Sequence, residues 1–192
     1  MNPAIDISHV VLRTDRLLLR PWRQSDLEDF YEYASVDGVG PMAGWKPHEN
    51  RAESQRILDS FSGHKKTFAL EHCGKVIGSL GIQEYSEQDF PELKDKRCRE
   101  LGFVLSKAYW GRGLMPEAVL ATVRYLFEQE KLDAILCKHF LWNRQSHRVQ
   151  EKCGFRHYAY MKSFTELHSV EEDEVNILTR GMWENGNEDI DL

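Results

Sequence analysis

Apolar and polar positions divide the chain into short strands and amphipathic helices. Residues 17–23, Leu-Leu-Leu-Arg-Pro-Trp-Arg, read as a strand with an apolar start. Residues 25–34 place Leu27, Phe30, Tyr31 and Ala34 on one helical stripe, behind Ser25 and Glu28 at capping-box spacing. A second helix fits about 49–62, with Ala52, Ile57, Leu58 and Phe61 as its inner face. Two strands follow at 67–73 and 76–84, joined at Gly74-Lys75, a two-residue hairpin signal. The polar stretch 85–98 carries a proline and reads as a loop. Residues 99–106 form another strand, and about 113–130 a helix with Met115, Ala118, Val119, Thr122 and Leu126 at helical spacing. A strand at 134–140, a short helix at about 144–153, and two late strands within 155–164 and 174–180 complete the pattern.

The order β-α-α-β-β-β-α-β-α-β-β joins an antiparallel meander to a strand–helix–strand unit. It predicts a mixed, mostly antiparallel sheet with about four helices, an α/β domain of the mixed α+β kind. The length of 192 residues suits one domain, taken as 1–183. Residues 184–192, with four acidic side chains, are expected to be a flexible tail. No apolar run approaches the roughly 20 residues a bilayer-spanning helix needs. The N-terminal stretch lacks a basic start followed by an apolar segment, so the cytoplasm is the expected compartment and no membrane partner is expected. The net charge of −6 argues against nucleic acid as a partner, because phosphate backbones select basic faces. The acidic excess sits late, in residues 171–174 and the tail.

Cys73, Cys98, Cys137 and Cys153 form no C-x-x-C pair, and no histidine pair stands at zinc-finger spacing. Four reduced thiols and no metal are expected. Cys137 and His139 share a strand face, which ordinary packing accounts for. His147 and His157 have no evident partner in the sequence.

The chemistry concentrates in residues 109–118, Tyr-Trp-Gly-Arg-Gly-Leu-Met-Pro-Glu-Ala. Two glycines flank Arg112 where a strand hands over to a helix. Glycine leaves nothing projecting over the amides, and the first helical turn has about four N–H groups without internal partners. A phosphate or diphosphate suits such a place, and Arg112 adds a charged donor. The Walker sequence is absent, and Pro116 stands where G-x-G-x-x-G would need its third glycine. On this segment alone, a tight strand-to-helix bend explains the glycines equally well.

A second segment, 143–155, changes the balance. Together, residues 14–22, 77–82, 100–118, Asn143, Ser146 and 151–155 resemble the GNAT acyl-CoA N-acetyltransferases, in the branch holding the ribosomal-protein N-terminal-alanine acetyltransferases. The resemblance spans roughly residues 10 to 180. It implies that acetyl-CoA is the co-substrate and that its diphosphate lies on the backbone of 111–116, at Gly111, Arg112, Gly113, Leu114 and Met115. It implies that the strand at 100–105 parts from the strand at 134–140 through a bulge, so that the central strands splay. The pantetheine arm would then pair with the backbone of Phe103, Val104 and Leu105, with Asn143 at the mouth of the gap. Asn143 also reads as a helix cap.

The implied reaction is direct attack of a primary amine on the thioester. The acceptor would be a protein N-terminus, such as that of a ribosomal protein, or a small amine. An alkyl ammonium must first lose a proton, and Glu100 is the candidate base. The competing role for Glu100 is a solvent-facing carboxylate clustered with Arg97 and Arg99. A backbone N–H near Val104 would hold the oxyanion. Where many relatives carry a tyrosine acid this chain has Gln150, which leaves Ser146 as the donor to the leaving sulfur, or else a small packing residue. The ribosomal branch also uses a late-strand glutamate as base. The position here is Thr165, with Glu166 beside it as a backup base and a substrate-side carboxylate. Trp45 and His48 would border the acceptor pocket, although Trp45 also reads as a plain hydrophobic anchor. Loss of the tyrosine leaves one alternative, an acetyl-CoA-binding sensor or scaffold. Dimers are common among relatives, and no motif here fixes one.

Overall fold

The computed structural model describes residues 1–188. Eight strands form one open sheet in the order β1-β2-β3-β4-β5-β6-β8-β7. They are β1 (Leu12–Arg13), β2 (Leu18–Pro21), β3 (Thr67–His72), β4 (Lys75–Gln83), β5 (Cys98–Leu105), β6 (Ala134–Phe140), β7 (Arg156–Phe164) and β8 (Val170–Thr179). The helices are α1 (Leu27–Ala34), α2 (Arg51–His64), α3 (Leu114–Glu128), α4 (Arg144–Lys152) and α5 (Arg180–Glu188). Every strand pair is antiparallel except β5–β6. A parallel pair needs a long crossover, and α3 provides it.

The expected stripe of α3 is buried in full: Met115, Ala118, Val119, Thr122 and Leu126 pack one face of the sheet. On the other face α1 and α2 cover Trp22, Ala69 and Val76 through Phe30, Tyr33 and Leu58. Two details of those helices differ from expectation. In α1, Tyr33 is buried, while Tyr31 lies half-buried under Arg51. In α2, Ala52 is exposed, and Ser54 turns inward to meet His48.

The capping box at Ser25 and Glu28 does not form. A 3₁₀ turn over Gln24–Asp26 precedes α1, and the Asp26 carboxylate accepts from the Arg23 N–H at 2.8 Å. Asp26 also receives both terminal nitrogens of Arg20, each at 2.8 Å, whereas Glu28 pairs outward with Arg51. The buried guanidinium therefore decides where the helix starts. The β3–β4 hairpin turns one residue earlier than expected, at Cys73-Gly74. Both residues have positive φ, 51° and 79°, as a two-residue turn of primed type requires.

Two elements were not anticipated. β1 is two residues long, too short to show alternation. α5 carries two glycines, and its docking supplies what its propensity lacks. Arg180 donates to the Phe127 carbonyl at 2.9 Å, and Met182 and Trp183 pack on the core. Residues 184–188 of the expected free tail thus belong to a helix, and 189–192 lie outside the described residues. Among the described residues no helix is long and apolar enough to cross a membrane.

The sheet parts at its centre. β5 and β6 pair only between Cys98–Leu101 and Ala134–Cys137. Beyond that point β5 stays with β4 as far as Gly78↔Leu105, and β6 stays with β8 as far as Phe140↔Asp173. The splay was expected, but the bulge was not found: the β4–β5 register runs without a shift. Close approach of β4 and β5 takes its place. A Cβ at Gly78 would stand 2.4 Å from the Val104 carbonyl oxygen, so only glycine lets β5 lie so near β4.

Candidate active site

The parted strands open into a cavity of about 1030 Å³, bordered by the α3 N-terminus, α4 and the loop at 39–48. At one end, Gly111 and Gly113 have φ of 75° and 74°, a region other residues enter only with strain. No backbone or side-chain acceptor among the described residues takes the amides of 111 to 115. The first of the α3 amides to find a carbonyl is that of Glu117, at 3.4 Å from Gly113. Pro116 has no amide to leave idle. The side chains of Leu114 and Met115 are buried in the core, so these two residues offer the cavity their backbone. The bare-amide cradle expected from the Gly-Arg-Gly turn is therefore present.

Arg112 is exposed, with its guanidinium 5.1 Å from the Tyr109 ring centre. Its carbonyl is held from outside by Arg16 Nη1 at 2.8 Å, and Arg16 Nε binds Glu117 Oε2 at 2.7 Å. Arg16 thus braces the cradle, a role no local pattern signals because its partners lie about a hundred residues away.

Along the gap, alternation sorts the backbone groups. The Ser106 N–H donates to the Ile77 carbonyl at 2.7 Å, which makes that facing pair a hydrogen-bonded one. In an antiparallel ladder every second pair is then bonded, so Val104 and Gly102 bond to β4. Phe103 and Leu105 instead aim their groups into the gap. The Leu105 carbonyl is already taken by Trp110 Nε1 at 2.8 Å. The Val104 amide is therefore engaged with β4, and near it the Phe103 amide is the one turned to the gap.

At the other mouth, Asn143 caps α4. Its Oδ1 accepts from the Ser146 N–H at 3.1 Å, and its Nδ2 donates to the Met42 carbonyl at 3.0 Å. It therefore ties the 39–48 loop to the helix. Ser146 is half-buried, and its Oγ accepts from Gln150 Nε2 at 3.2 Å. Gln150 is buried, and its Oε1 receives Asn176 Nδ2 at 2.7 Å. The glutamine in the tyrosine position is thus a strut: it fills a lone pair of Ser146 and leaves the hydroxyl proton free to donate. Sequence reading treated Gln150 only as a lost acid.

Glu100 points to the opposite face of the sheet and is buried. The expected cluster with Arg97 and Arg99 does not exist. Arg97 donates to the Glu130 carbonyl and Arg99 to the Pro3 carbonyl, while Glu100 meets Lys138 Nζ at 3.3 Å. Burial pushes the Glu100 carboxyl above its ordinary value of 4.5. Lys138 works against this, and the charge of Asp173 adds to it. Asp173 lines the same cavity. It is 1% exposed, and neither carboxylate oxygen has a hydrogen-bond partner among the described residues. Sequence reading saw it only as part of the acidic run 171–174. Strand alternation turns Asp173 inward.

Trp45 and His48 do line the cavity. His48 Nδ1 lies 2.7 Å from Ser54 Oγ, and burial holds the imidazole below its ordinary pKa, hence neutral near pH 7. Trp45 packs against Gly40, where a Cβ would meet its ring at 2.4 Å. Glu166 is exposed on the β7–β8 loop at the cavity rim, and its N–H donates to the Gly44 carbonyl at 3.0 Å. Thr165 is buried and bonds within that loop, its Oγ1 lying 2.9 Å from Ser169 Oγ.

Gln150→Leu is expected to lower kcat several-fold with little change in the acetyl-CoA KM, since it frees the Ser146 hydroxyl to turn. A Gln150→Glu comparison, assayed in the same way, tests whether the donated hydrogen bond is what matters.

A sheet parted beside bare amides at a helix start is a surface of the kind that can seat a long, phosphorylated carrier. The sequence profile described as "Acetyltransferase (GNAT) domain" matches residues 16–156. The chain belongs to the GNAT family of N-acetyltransferases, enzymes that use acetyl-CoA. It is 28% identical over 197 aligned positions to the [ribosomal protein uS5]-alanine N-acetyltransferase of Escherichia coli K12, covering 94% of this chain and 96% of that one. Its fold matches a GNAT acetyltransferase from Bacillus anthracis with a TM-score of 0.75 at 23% identity, over 88% of this chain and 98% of that one. It also matches the microcin C7 self-immunity acetyltransferase MccE, solved with acetyl-CoA and AMP, with a TM-score of 0.72 at 12% identity, over 86% and 93%.

Proposed function

We propose that the protein moves the acetyl group of acetyl-CoA to a cationic primary amine by direct attack in a ternary complex. The observation that carries this reading is the run of unengaged amides at 111 to 115 opening on the gap between β5 and β6. Acetyl-CoA supplies an activated thioester. The amides of Gly111 to Met115 hold the diphosphate at the positive end of α3, and Arg112 swings from Tyr109 to add its charge. The free groups of Phe103 and Leu105 bond the arm, as an added strand would.

The two faces of the gap divide the chemistry. The cavity wall carries Glu100, Asp173 and the rim carboxylate of Glu166; Lys138 pairs with Glu100, while Asp173, with no hydrogen-bond partner among the described residues, leaves a carboxylate open to a protonated amine. Glu100 takes its proton, directly or through water, and its raised affinity for protons makes it a better base than an exposed carboxylate. The Phe103 N–H stabilises the developing oxyanion. On the α4 side, the Ser146 hydroxyl donates to the departing sulfur while Gln150 fixes its orientation. Glu166 serves recognition rather than proton transfer, because it is exposed and lies on a loop. Trp45 and His48, the latter neutral, shape the amine pocket.

Protein N-termini, including those of ribosomal proteins, and small amines both belong to this acceptor class. The bacterial relative that acetylates a ribosomal protein supports the first.

Acetyl-CoA should raise the melting temperature of the purified chain by mass action. Gly113→Val, which forces a side chain into left-handed backbone above the cradle, should weaken that response about tenfold. Free thiol should appear on adding an amine panel that includes alanine-starting peptides. A melting shift without thiol release from any amine would make the protein a sensor. No shift at all would overturn both readings.

A further inference from the structure

We propose that His139, His147 and Glu174 form a binding site for a divalent transition-metal ion of the zinc class, at the edge of the acetyl-transfer cavity, which His139 also lines. The three residues come from β6, α4 and β8, so rigid elements hold them. Glu174 Oε2 lies 3.5 Å from His139 Nε2 and 3.7 Å from His147 Nδ1. All three donor atoms lie within 4.8 Å of one another. Ligand bonds of about 2.0–2.2 Å in a tetrahedral array place donor atoms roughly 3.3 Å apart. The two contacts to Glu174 already approach that spacing, and the two histidine nitrogens stand within 4.8 Å of each other.

Two further observations point to an ion rather than to a simple ion pair. The Nδ1 of His147, a donor atom of the trio, is buried and has no hydrogen-bond partner among the described residues. Two of the three residues, Glu174 and His147, also have the outer contacts that orient metal ligands. His157 Nδ1 holds the other Glu174 oxygen at 3.0 Å, and Glu151 Oε1 faces His147 Nε2 at 3.4 Å. Two imidazoles and one carboxylate select zinc, cobalt or nickel over magnesium or calcium, which want an all-oxygen shell. A water would complete four-coordination.

Spacing along the chain hid this group, because its ligands stand eight and twenty-seven residues apart on three elements. The ion would pin the first turn of α4 to the sheet, next to Ser146. It takes no part in the transfer chemistry, so the inference stands whatever amine the enzyme accepts.

The test is calorimetric titration of Zn²⁺ into the chelator-stripped full chain. Cys73→Ser should be the background, because the exposed Cys73 thiol lies 3.7 Å from His72 Nε2 and offers zinc a competing pair. One ion per chain is expected, with a matching rise in melting temperature. His147→Ala and Glu174→Gln should abolish the high-affinity event, and His157→Ala should weaken it about tenfold. His64→Ala, at the exposed end of α2, should change nothing. On the background protein itself, Co²⁺ should give a visible band typical of tetrahedral nitrogen and oxygen ligands, which needs no folded variant. Absence of binding at millimolar zinc, or binding undiminished in His147→Ala, overturns the proposal.

Discussion

Replacing Glu100 by glutamine is expected to lower kcat/KM roughly a hundred- to a thousandfold, the range general-base loss commonly spans. The amide keeps the size of the side chain and removes its ability to take a proton. The pH profile should separate this from a packing effect. In the native enzyme, kcat/KM should climb as Glu100 loses its proton, at a pH above the ordinary carboxyl value of 4.5 because burial disfavours the charge. In Glu100→Gln that limb should vanish, leaving the slope set by the amine itself.

Stability should move the other way. Glu100 has a raised folded-state pKa, so its favourable contribution is complete below the unfolded value of 4.5 and is lost as pH rises through the raised one. At pH 8 the variant should therefore melt no lower than the native chain. Wild-type kcat/KM across the range would pass the role to Asp173, whose buried carboxylate lines the same cavity. A loss of melting temperature at pH 8 would mark Glu100 as structural.

Asp26→Ala is expected to destabilise the fold by about 3–5 kcal/mol, because it strands a buried guanidinium. Arg20 is 4% exposed, and Asp26 binds both of its terminal nitrogens. Glu71, at 2.7 Å from Arg20 Nε, remains as the single anion and sets the outcome toward the lower figure. For a chain of this size the melting temperature should fall by roughly 6–12 °C at that lower figure. The Arg20→Met/Asp26→Leu double variant should recover much of the loss, since it buries no lone charge. Denaturant melts of the three proteins decide it. A loss below about 1 kcal/mol in Asp26→Ala would mean that Glu71 alone satisfies the arginine.

How much of this could be read in the residues follows from distance along the chain. The α3 stripe, the cradle glycines and the Asn143 cap are local patterns, and each appeared where its period or spacing placed it. The parting of β5 and β6 was implied by family resemblance, but its device was not. A bulge was expected, whereas the glycine at 78 and the continued pairing to β4 do the work. The capping box failed because Asp26, drawn to the buried Arg20, closes the helix start on the Arg23 N–H instead, while Glu28 turns out to Arg51. Arg16 and the Asn176 partner of Gln150 were not legible because only folding brings them to Arg112 and Gln150. Asp173 was hidden by composition, since an acidic run reads as surface until strand alternation turns one member inward. α5 escaped because docking, not propensity, makes it a helix.

The vacant rim that β5 turns toward β6 is flanked on both sides by its own sheet. If the arm of acetyl-CoA lies there as proposed, an acyl donor whose tether bears amide groups finds backbone partners along β5 that a bare reactive ester would not.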